Sequence, residues 1–217
     1  MIEMMNHFAA LTATLLFLGS TCAAFQVISP IVSSTKASPL RSSIILQDAV
    51  SDVQDALKKD YSKFYSLIMS KNDEVWKTIG SGSASSGDDA VAGAGGFTIF
   101  APSDAAMDAL GEKKLQQLID DRNRETVEKI AAFHAVVEPV GAWDLINSGG
   151  LKTLGGEVPV GKTKVGGFFG FGGKEDGGIT VNGAKIKKTT QIDNCVVHEM
   201  DGLISLQLLW RYMDQLR

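Results

Sequence analysis

Cysteine is almost absent from this chain, which has Cys22 and Cys195 among its 217 residues. Cys22 lies in an N-terminal segment that we expect to be removed, so the mature chain would keep one thiol. A single thiol excludes a framework of internal disulfides and leaves two alternatives, a buried inert thiol or a bond to another chain. Because Val196 and Val197 follow Cys195 directly, the sequence favours burial.

The chain also contains few histidines, and its net charge is small. Beyond the N-terminal segment only His134 and His198 remain, and no second histidine lies at helical spacing from His198, which excludes the common zinc motifs. The formal net charge of −4 argues against a protein that binds nucleic acid through a general basic surface. The basic pairs at 113–114 and 187–188 are therefore predicted to be solvated.

Motifs for catalysis and nucleotide binding are missing or lie in the wrong context. Residues 156–163 spell GEVPVGKT and match the P-loop expression, but 158–160 is typical of a strand and 164–167 are poor helix formers. A P-loop needs a helix there, because the helix N-terminus binds the phosphate. No Gly-x-Ser-x-Gly elbow is present either. We therefore predict no catalytic residue, no metal and no cofactor.

The N-terminus has the pattern of a secretory signal peptide. Residues 8–19 form an apolar run that is too short to span a bilayer, and small residues follow at 20–24. This pattern predicts a signal peptide over residues 1–24, cleaved after Ala24, although the segment before the apolar run contains no Lys or Arg. No later segment is apolar over a sufficient length, so no membrane span is predicted in the mature chain.

Residues 25–47 are rich in serine and contain basic residues but no acidic one, a composition typical of transit peptides. A signal peptide followed by Phe25 and such a segment resembles the bipartite presequence of algae with secondary plastids. The resemblance implies entry into the secretory route and delivery to the plastid stroma or thylakoid lumen. The alternative is a flexible linker on a secreted protein. The absence of an Asn-x-Ser/Thr glycosylation site favours the plastid.

The rest of the chain is predicted to form one domain over residues 48–205. Apolar residues at helical spacing predict two helices between 48 and 69 and a third over 72–79. Residues 80–96 consist mostly of Gly and Ser and are predicted to form a flexible loop.

Two segments carry apolar side chains that either complete the core or meet a partner. Residues 206–217 form an amphipathic helix with Trp210 and Met213 on its apolar face, which packs on its own domain or docks on a partner. Residues 161–178 are predicted to form a second glycine-rich loop with three aromatic side chains, Phe168, Phe169 and Phe171. Rings among glycines are either tucked under the loop or offered to a partner.

A strand followed at once by a helix is predicted at residues 97–107, which spell FTIFAPSDAAM. Pro102 lacks a backbone N–H and so ends the strand. Ser103 or Asp104 then caps the helix that follows.

A hairpin and a further strand are predicted within residues 179–204, which spell ITVNGAKIKKTTQIDNCVVHEMDGLI. Asn182 and Gly183 tolerate the positive φ angles of a type I′ turn, and residues 195–200 form the strand. Together and in this order, this stretch and FTIFAPSDAAM resemble the two sequence signatures of the fasciclin-like FAS1 domain.

The resemblance implies an α+β fold, a wedge of two packed β-sheets covered by several α-helices. It places residues 98–100 and 196–198 as neighbouring strands in one core. Asn194-Cys195 stands where the family commonly has Asn-Gly, so that turn is expected to differ, since cysteine does not favour positive φ. The positions with an expected structural role are Phe97, Thr98, Phe100, Ala101, Pro102, Ser103, Asn182, Gly183, Asn194, Val197, His198 and Asp201.

The resemblance also implies a non-catalytic module for adhesion or protein–protein contact. Phe133-His134 stands where family members often carry Tyr-His; Phe133 lacks the hydroxyl, and His134 is expected to be a hydrogen-bonded core histidine. A narrower hypothesis is an accessory subunit in a plastid, bound to a membrane complex; the alternatives are a secreted adhesion protein and a small-ligand binder or enzyme with a groove between the sheets. The candidates for partner contact are Phe133, His134, Phe168, Phe169, Phe171, Trp210 and Met213.

Overall fold

The computed structural model describes residues 39–81, 95–165 and 174–215. The predicted signal peptide and residues 25–38 of the transit-like segment lie outside the described residues, as do Phe168, Phe169 and Phe171. Within the described ranges, no helix combines the length and the apolarity needed to cross a membrane.

Helices precede, interrupt and follow the strands along the chain. The α-helices are α1 (Pro39–Asp60), α2 (Ser62–Leu67), α3 (Asp73–Ser81), α4 (Asp104–Asp108), α5 (Glu112–Ile119), α6 (Arg124–Phe133), α7 (Ala142–Ser148) and α8 (Gln207–Gln215), and short 3-10 turns cover Met69–Lys71 and Asp121–Asn123. The strands are β1 (Thr98–Pro102), β2 (Ala135–Val136), β3 (Gly150–Thr153), β4 (Gly156–Val165), β5 (Lys174–Val181), β6 (Ala184–Ile192) and β7 (Cys195–Met200).

The folded domain begins earlier than the boundary predicted at residue 48. Helix α1 starts at Pro39, and Leu46 is already buried in the core, followed along the helix by Ala49, Val53 and Leu57. This spacing places one apolar stripe of α1 against the rest of the domain. The sequence prediction missed the first turns of the helix because the serine-rich composition there resembled a presequence.

The α+β class is confirmed, and the strands form one continuous ladder in the order β2-β1-β7-β6-β5-β4-β3. The two predicted sheets are corrected to two arms of this ladder, because β6 takes part in both. Ala184 and Lys185 pair with β5, whereas Ile186 and residues 188–192 pair with β7, with a register shift between Ile186 and Lys188. The two ends of the ladder, β2 and β3, approach each other: the Leu154 N–H, just after β3, donates to the Ala135 carbonyl of β2 at 2.9 Å.

The two signature stretches lie side by side, as the sequence predicted. β1 runs parallel to β7, with Thr98 opposite Val196 and Phe100 opposite His198. All residues of β1 are buried, and Glu199 is the one residue of β7 that is not. Parallel neighbours must be joined by a long connection, and here the whole middle of the domain provides it.

The two β-turns of the second signature differ in where they place positive φ. Asn182 and Gly183 have φ angles of 50° and 85°, which confirms the predicted type I′ hairpin between β5 and β6. In the turn from β6 to β7 the positive φ of 50° falls on Asp193. Cys195 is thereby free to begin β7, and its side chain is buried, as predicted.

Ser103 caps α4 as the sequence predicted, since its hydroxyl accepts a hydrogen bond from the Ala106 N–H at 3.3 Å. We expect Ser103→Ala to lower the free energy of unfolding by about 1 kcal/mol, because that N–H loses its partner. Urea unfolding at pH 7 measures the change. Ser66→Ala, at an exposed position in α2, serves as the control, and an equal effect of both substitutions would contradict the capping role.

Candidate functional site

His134 lies where α6 ends, and both of its ring nitrogens are engaged. Nδ1 is 2.8 Å from the Ile130 carbonyl oxygen, and the Ile204 N–H donates to Nε2 at 3.0 Å. A carbonyl only accepts and a backbone N–H only donates, so the ring is neutral with its proton on Nδ1. His134 thus joins α6 to the segment that follows β7.

The surroundings of His134 keep it uncharged. The side chain is fully buried, its ring centroid is 5.1 Å from that of Phe64, and its own carbonyl accepts from the Phe100 N–H at 2.9 Å. Burial lowers the pKa of His134 to about 4, and the hydrogen bond to Ile130 opposes this shift only partly. The expectation of a hydrogen-bonded core histidine agrees with this geometry.

His198 lies within β7 and, like His134, is fully buried. Its Nε2 lies 2.9 Å from the Val140 carbonyl, its Nδ1 lies 2.9 Å from the Thr189 hydroxyl, and its ring stacks on Phe100 at 5.2 Å. Burial lowers the pKa of His198, and the bond to Val140 opposes the shift. Unlike a backbone N–H, the Thr189 hydroxyl can also accept, so this site tolerates a second ring proton better than that of His134.

Thr98 ties the loop before α7 to β1. Its hydroxyl donates to the Glu138 carbonyl and accepts from the Val140 N–H, each at 2.7 Å. Val140 in turn bonds His198 through its carbonyl, so Thr98 and His198 hold the same short segment from two strands. These contacts give two signature positions a structural role.

We expect Thr98→Val to lower the free energy of unfolding by about 2 kcal/mol. The substitution keeps the shape but leaves the Glu138 carbonyl and the Val140 N–H without this partner. Thermal and urea unfolding test it, with Thr98→Ser as the matched control that restores the hydroxyl. Equal losses in both variants would show that packing of the methyl group, and not hydrogen bonding, matters here.

Phe133 packs in the interior and is only 6% exposed. A Cβ on Gly155 would lie 2.8 Å from the Phe133 ring, and the Gly155 N–H donates to the Ala132 carbonyl. The turn between β3 and β4 therefore sits directly against the end of α6. A tyrosine hydroxyl is not needed to hold this position, because packing and the backbone bond do so.

Helix α8 packs onto its own domain. Leu209, Trp210 and Met213 are buried, and the Lys114 ammonium lies 4.8 Å from the centre of the Trp210 ring. Asp214 accepts from Gln117 and Lys113 of α5 at 2.9 and 2.8 Å. Removal of α8 would expose this part of the core, so truncation is a poor test of partner binding.

Four of the residues predicted to contact a partner are therefore buried within the chain, namely Phe133, His134, Trp210 and Met213. The structure corrects their role to packing, because a partner cannot reach them without opening the domain. Among the described residues, the large apolar side chains that remain at least 40% exposed are Ile119, Trp143, Leu206, Leu208 and Tyr212.

Trp143 is the most exposed of these side chains, at 80%. It lies on α7, whose Leu145 is fully buried in the core. At the start of the helix the Asp144 carboxylate accepts a hydrogen bond from the Gly141 N–H at 3.1 Å. Trp143 was not predicted as a contact residue from the sequence. The sequence signal was a tryptophan two positions before Leu145, the one fully buried side chain of α7, with Ala142 and Ile146 partly buried.

The remaining sequence motifs have structural explanations. Residues 156–163 lie within β4, so no helix N-terminus follows the P-loop-like pattern. Burial raises the pKa of the Cys195 thiol, which keeps it protonated and unreactive. Asp201 accepts from the Lys185 N–H at 2.6 Å, which supports the structural role predicted for it. In the described part of the chain, no cluster of His, Cys, Asp or Glu is arranged to hold a metal ion.

Comparison with known proteins finds a family model, a curated relative and a solved structure that are similar to this chain. A sequence model of the Fasciclin domain matches residues 59–206. Protein sll1483 of Synechocystis sp. is 30% identical over 117 residues, 54% of this chain and 58% of that protein, so the chain spans little more than half of this curated relative. The solved FAS1 domain pair of the insect cell adhesion molecule Fasciclin I is 19% identical, with a TM-score of 0.44, over 65% of this chain and 44% of that one.

Proposed function

This chain belongs to the Fasciclin-domain family, and from that premise we propose that it is a non-catalytic module for protein–protein contact. The observation that carries the proposal is Trp143, which is 80% exposed on a helix that is otherwise fixed to the domain. Burial of a tryptophan ring in an interface contributes roughly 4 kcal/mol by the area that it removes from water. Tryptophan is also enriched among the residues that dominate binding energy.

The position of Trp143 favours a binding role over a packing role. Helix α7 packs on β3, β4 and β5, and its Leu145 is fully buried, whereas Trp143 is exposed to solvent in the folded domain. A partner that covers it does not have to open the core. The ring has few rotatable bonds, so its burial also costs little conformational entropy.

We expect Trp143→Ala to weaken partner binding by about thirtyfold, a typical minimum for an interface tryptophan. The free energy of unfolding should change by less than about 0.5 kcal/mol, since the side chain is at the surface. Quantitative affinity capture of the full chain from its own cells, with crosslinking to identify the residues in contact, measures the first effect. Thermal unfolding measures the second.

Leu208→Ala and Tyr212→Ala on the outer face of α8 are the matched controls, because both side chains are apolar and about half exposed. Loss of binding with Trp143→Ala alone supports the contact at α7. Loss with the α8 variants alone moves the contact to that helix. Unchanged capture in all three variants would remove the support for an interaction module.

We further propose that the module acts in a plastid of secondary origin, as an accessory subunit of a membrane complex. The support is the sequence of residues 1–47, with an apolar run followed by a serine-rich, acid-free segment. The buried Leu46 adds a constraint, because removal of the chain up to Asp48 would take this side chain out of the core. We therefore place the cleavage site before Pro39.

Mass spectrometry of the mature N-terminus and a C-terminal fluorescent fusion test this location. A start between residues 26 and 39 together with plastid fluorescence agrees with the proposal. A start at Phe25 with fluorescence at the cell surface favours a secreted adhesion protein and would rule out the plastid role.

A further inference from the structure

β6 has strand neighbours on both sides only at its beginning. β5 pairs with Ala184 and Lys185 and then follows β4. Lys187 lies at a register shift, and over residues 188–192 the one strand neighbour of β6, within the part of the chain that the structure describes, is β7. The opposite edge of this segment therefore presents backbone groups to which another strand can bond.

The register identifies which backbone groups face outward. Ile192 and Cys195 flank a two-residue turn and so form a hydrogen-bonded pair. Pairs alternate along an antiparallel ladder, so Thr190 bonds to β7, whereas Thr189 and Gln191 direct their N–H and C=O groups away from it.

A contact on the far side of β7 agrees with this alternation. Val196 lies opposite Gln191, and its N–H donates to the Phe97 carbonyl next to β1 at 2.9 Å. Since Val196 uses its backbone toward β1, Gln191 is not bonded to it. The outer edge of β6 is thus defined by the backbone of Thr189 and Gln191.

The edge also carries positive charge in an otherwise acidic chain. Lys187 and Lys188 are both exposed, and although Glu199 of β7 lies opposite Lys188, neither lysine belongs to the ion pairs formed among the described residues. On the neighbouring β5 the acidic side chains are already engaged, Glu175 with Lys162 and Asp176 with Lys185. The basic pair that was predicted to be merely solvated therefore lies beside a strand edge that no described strand covers.

We propose that this edge of β6, residues 187–192, accepts an acidic extended segment of a partner protein as an added β-strand. The backbone of Thr189 and Gln191 provides the hydrogen bonds, and Lys187 and Lys188 select acidic side chains. Pairing of this edge with the same edge of a second copy of the chain is disfavoured, because Lys187 and Lys188 of the two copies would repel each other. The proposal rests on the interaction role proposed above and adds a site separate from Trp143.

The first test is amide hydrogen exchange by NMR on the full, unbound chain. We expect the Thr189 and Gln191 amides to exchange at least about tenfold faster than those of Thr190 and Ile192, which bond to β7. Equal protection of all four amides would show that the chain itself covers this edge and would overturn the proposal.

The second test adds an acidic peptide of about seven residues in which Glu alternates with Val, a pattern suited to an extended strand. At saturation, the Thr189 and Gln191 amides should become protected by about tenfold or more. A peptide with Lys in place of Glu is the matched probe and should not bind. Absence of protection at 1 mM acidic peptide would overturn the proposal.

Variants separate the backbone and charge contributions. Gln191→Pro removes an outward N–H, and the double substitution of Lys187→Glu with Lys188→Glu reverses the charge; each should weaken peptide binding by about tenfold or more. The matched control reverses two exposed helical lysines, Lys59→Glu with Lys77→Glu, and should bind normally. Binding that survives both edge variants would contradict the site. Trp143→Ala should leave peptide binding unchanged, so failure here is distinct from failure at α7.

Discussion

Replacement of Gly96 by alanine is expected to lower the free energy of unfolding by about 3 kcal/mol, the upper range for overpacking a close contact. Gly96 lies just before β1, where a Cβ would stand 1.9 Å from the Asn194 carbonyl oxygen and 2.9 Å from its carbon. Both are backbone atoms, so no side chain can rotate away. An alanine at this position would therefore push the start of β1 away from the turn between β6 and β7.

Gly95→Ala is the matched control for this prediction. Gly95 has a φ of 70°, but nothing lies within 4 Å of its added Cβ, so the cost is about 1 kcal/mol of backbone strain alone. Urea unfolding compares the two variants, and hydrogen exchange of the Val196 amide, which bonds to the Phe97 carbonyl, reports separation of the strands. If Gly96→Ala costs no more than Gly95→Ala, the close approach of β1 to the β6–β7 turn is wrong.

The second large effect is a loss of stability in mild acid that His134 causes. The pKa of His134 is lowered from 6.5 to about 4 in the folded state, so the unfolded chain binds a proton more readily. The stability that neutral His134 provides is therefore complete above pH 6.5 and is lost as pH falls toward 4. The expected loss is about 3 kcal/mol.

Urea unfolding at several pH values between 7 and 4 measures this loss. His134→Gln cannot titrate, so it should be less stable at pH 7 but should show a shallower decline than the wild type. NMR titration gives an independent measurement, in which the His134 ring should stay neutral with its proton on Nδ1 at pH 5. A His134 ring that titrates near pH 6.5 would contradict the prediction.

Other titrating groups can be separated from His134. His198 contributes in the same direction, because burial lowers its pKa, and His198→Gln isolates its share. The partly exposed Asp120 has a pKa lowered to about 2 by Arg122, so its contribution is lost only at more acidic pH. The interval between pH 6.5 and 4 thus reports mainly on the two histidines.

Much of the domain follows from local patterns. Pro102 and Ser103 predict the end of β1 and the start of α4, and Asn182-Gly183 predicts its hairpin, because each feature depends on the backbone chemistry of those residues. That β1 and β7 are neighbouring strands was predicted from the family resemblance and is confirmed, and the structure adds that they run parallel. Composition alone did not show that α1 begins before residue 48, the predicted start of the domain, or that Leu46 is buried.

The candidate sites were less predictable than the fold. An apolar or aromatic residue has the same sequence signal whether it fills the core or faces a partner, so Phe133, Trp210 and Met213 were predicted as contacts and are buried. Trp143 was not predicted as a contact and is exposed. Periodicity assigns a helix one buried face, but the side chains that neighbouring elements cover depend on how those elements pack.

The sequence by itself determined the family, the order of the main elements and the chemistry of the turns, since these depend on residues close together in the chain. Only the tertiary structure decided that Gly96 is a close contact, that His134 is held in one neutral form and that, among the described strands, β6 has β7 as its one neighbour over residues 188–192. Each of these three properties depends on atoms that are distant in sequence. Burial, strand register and backbone proximity arise only when those atoms are brought together.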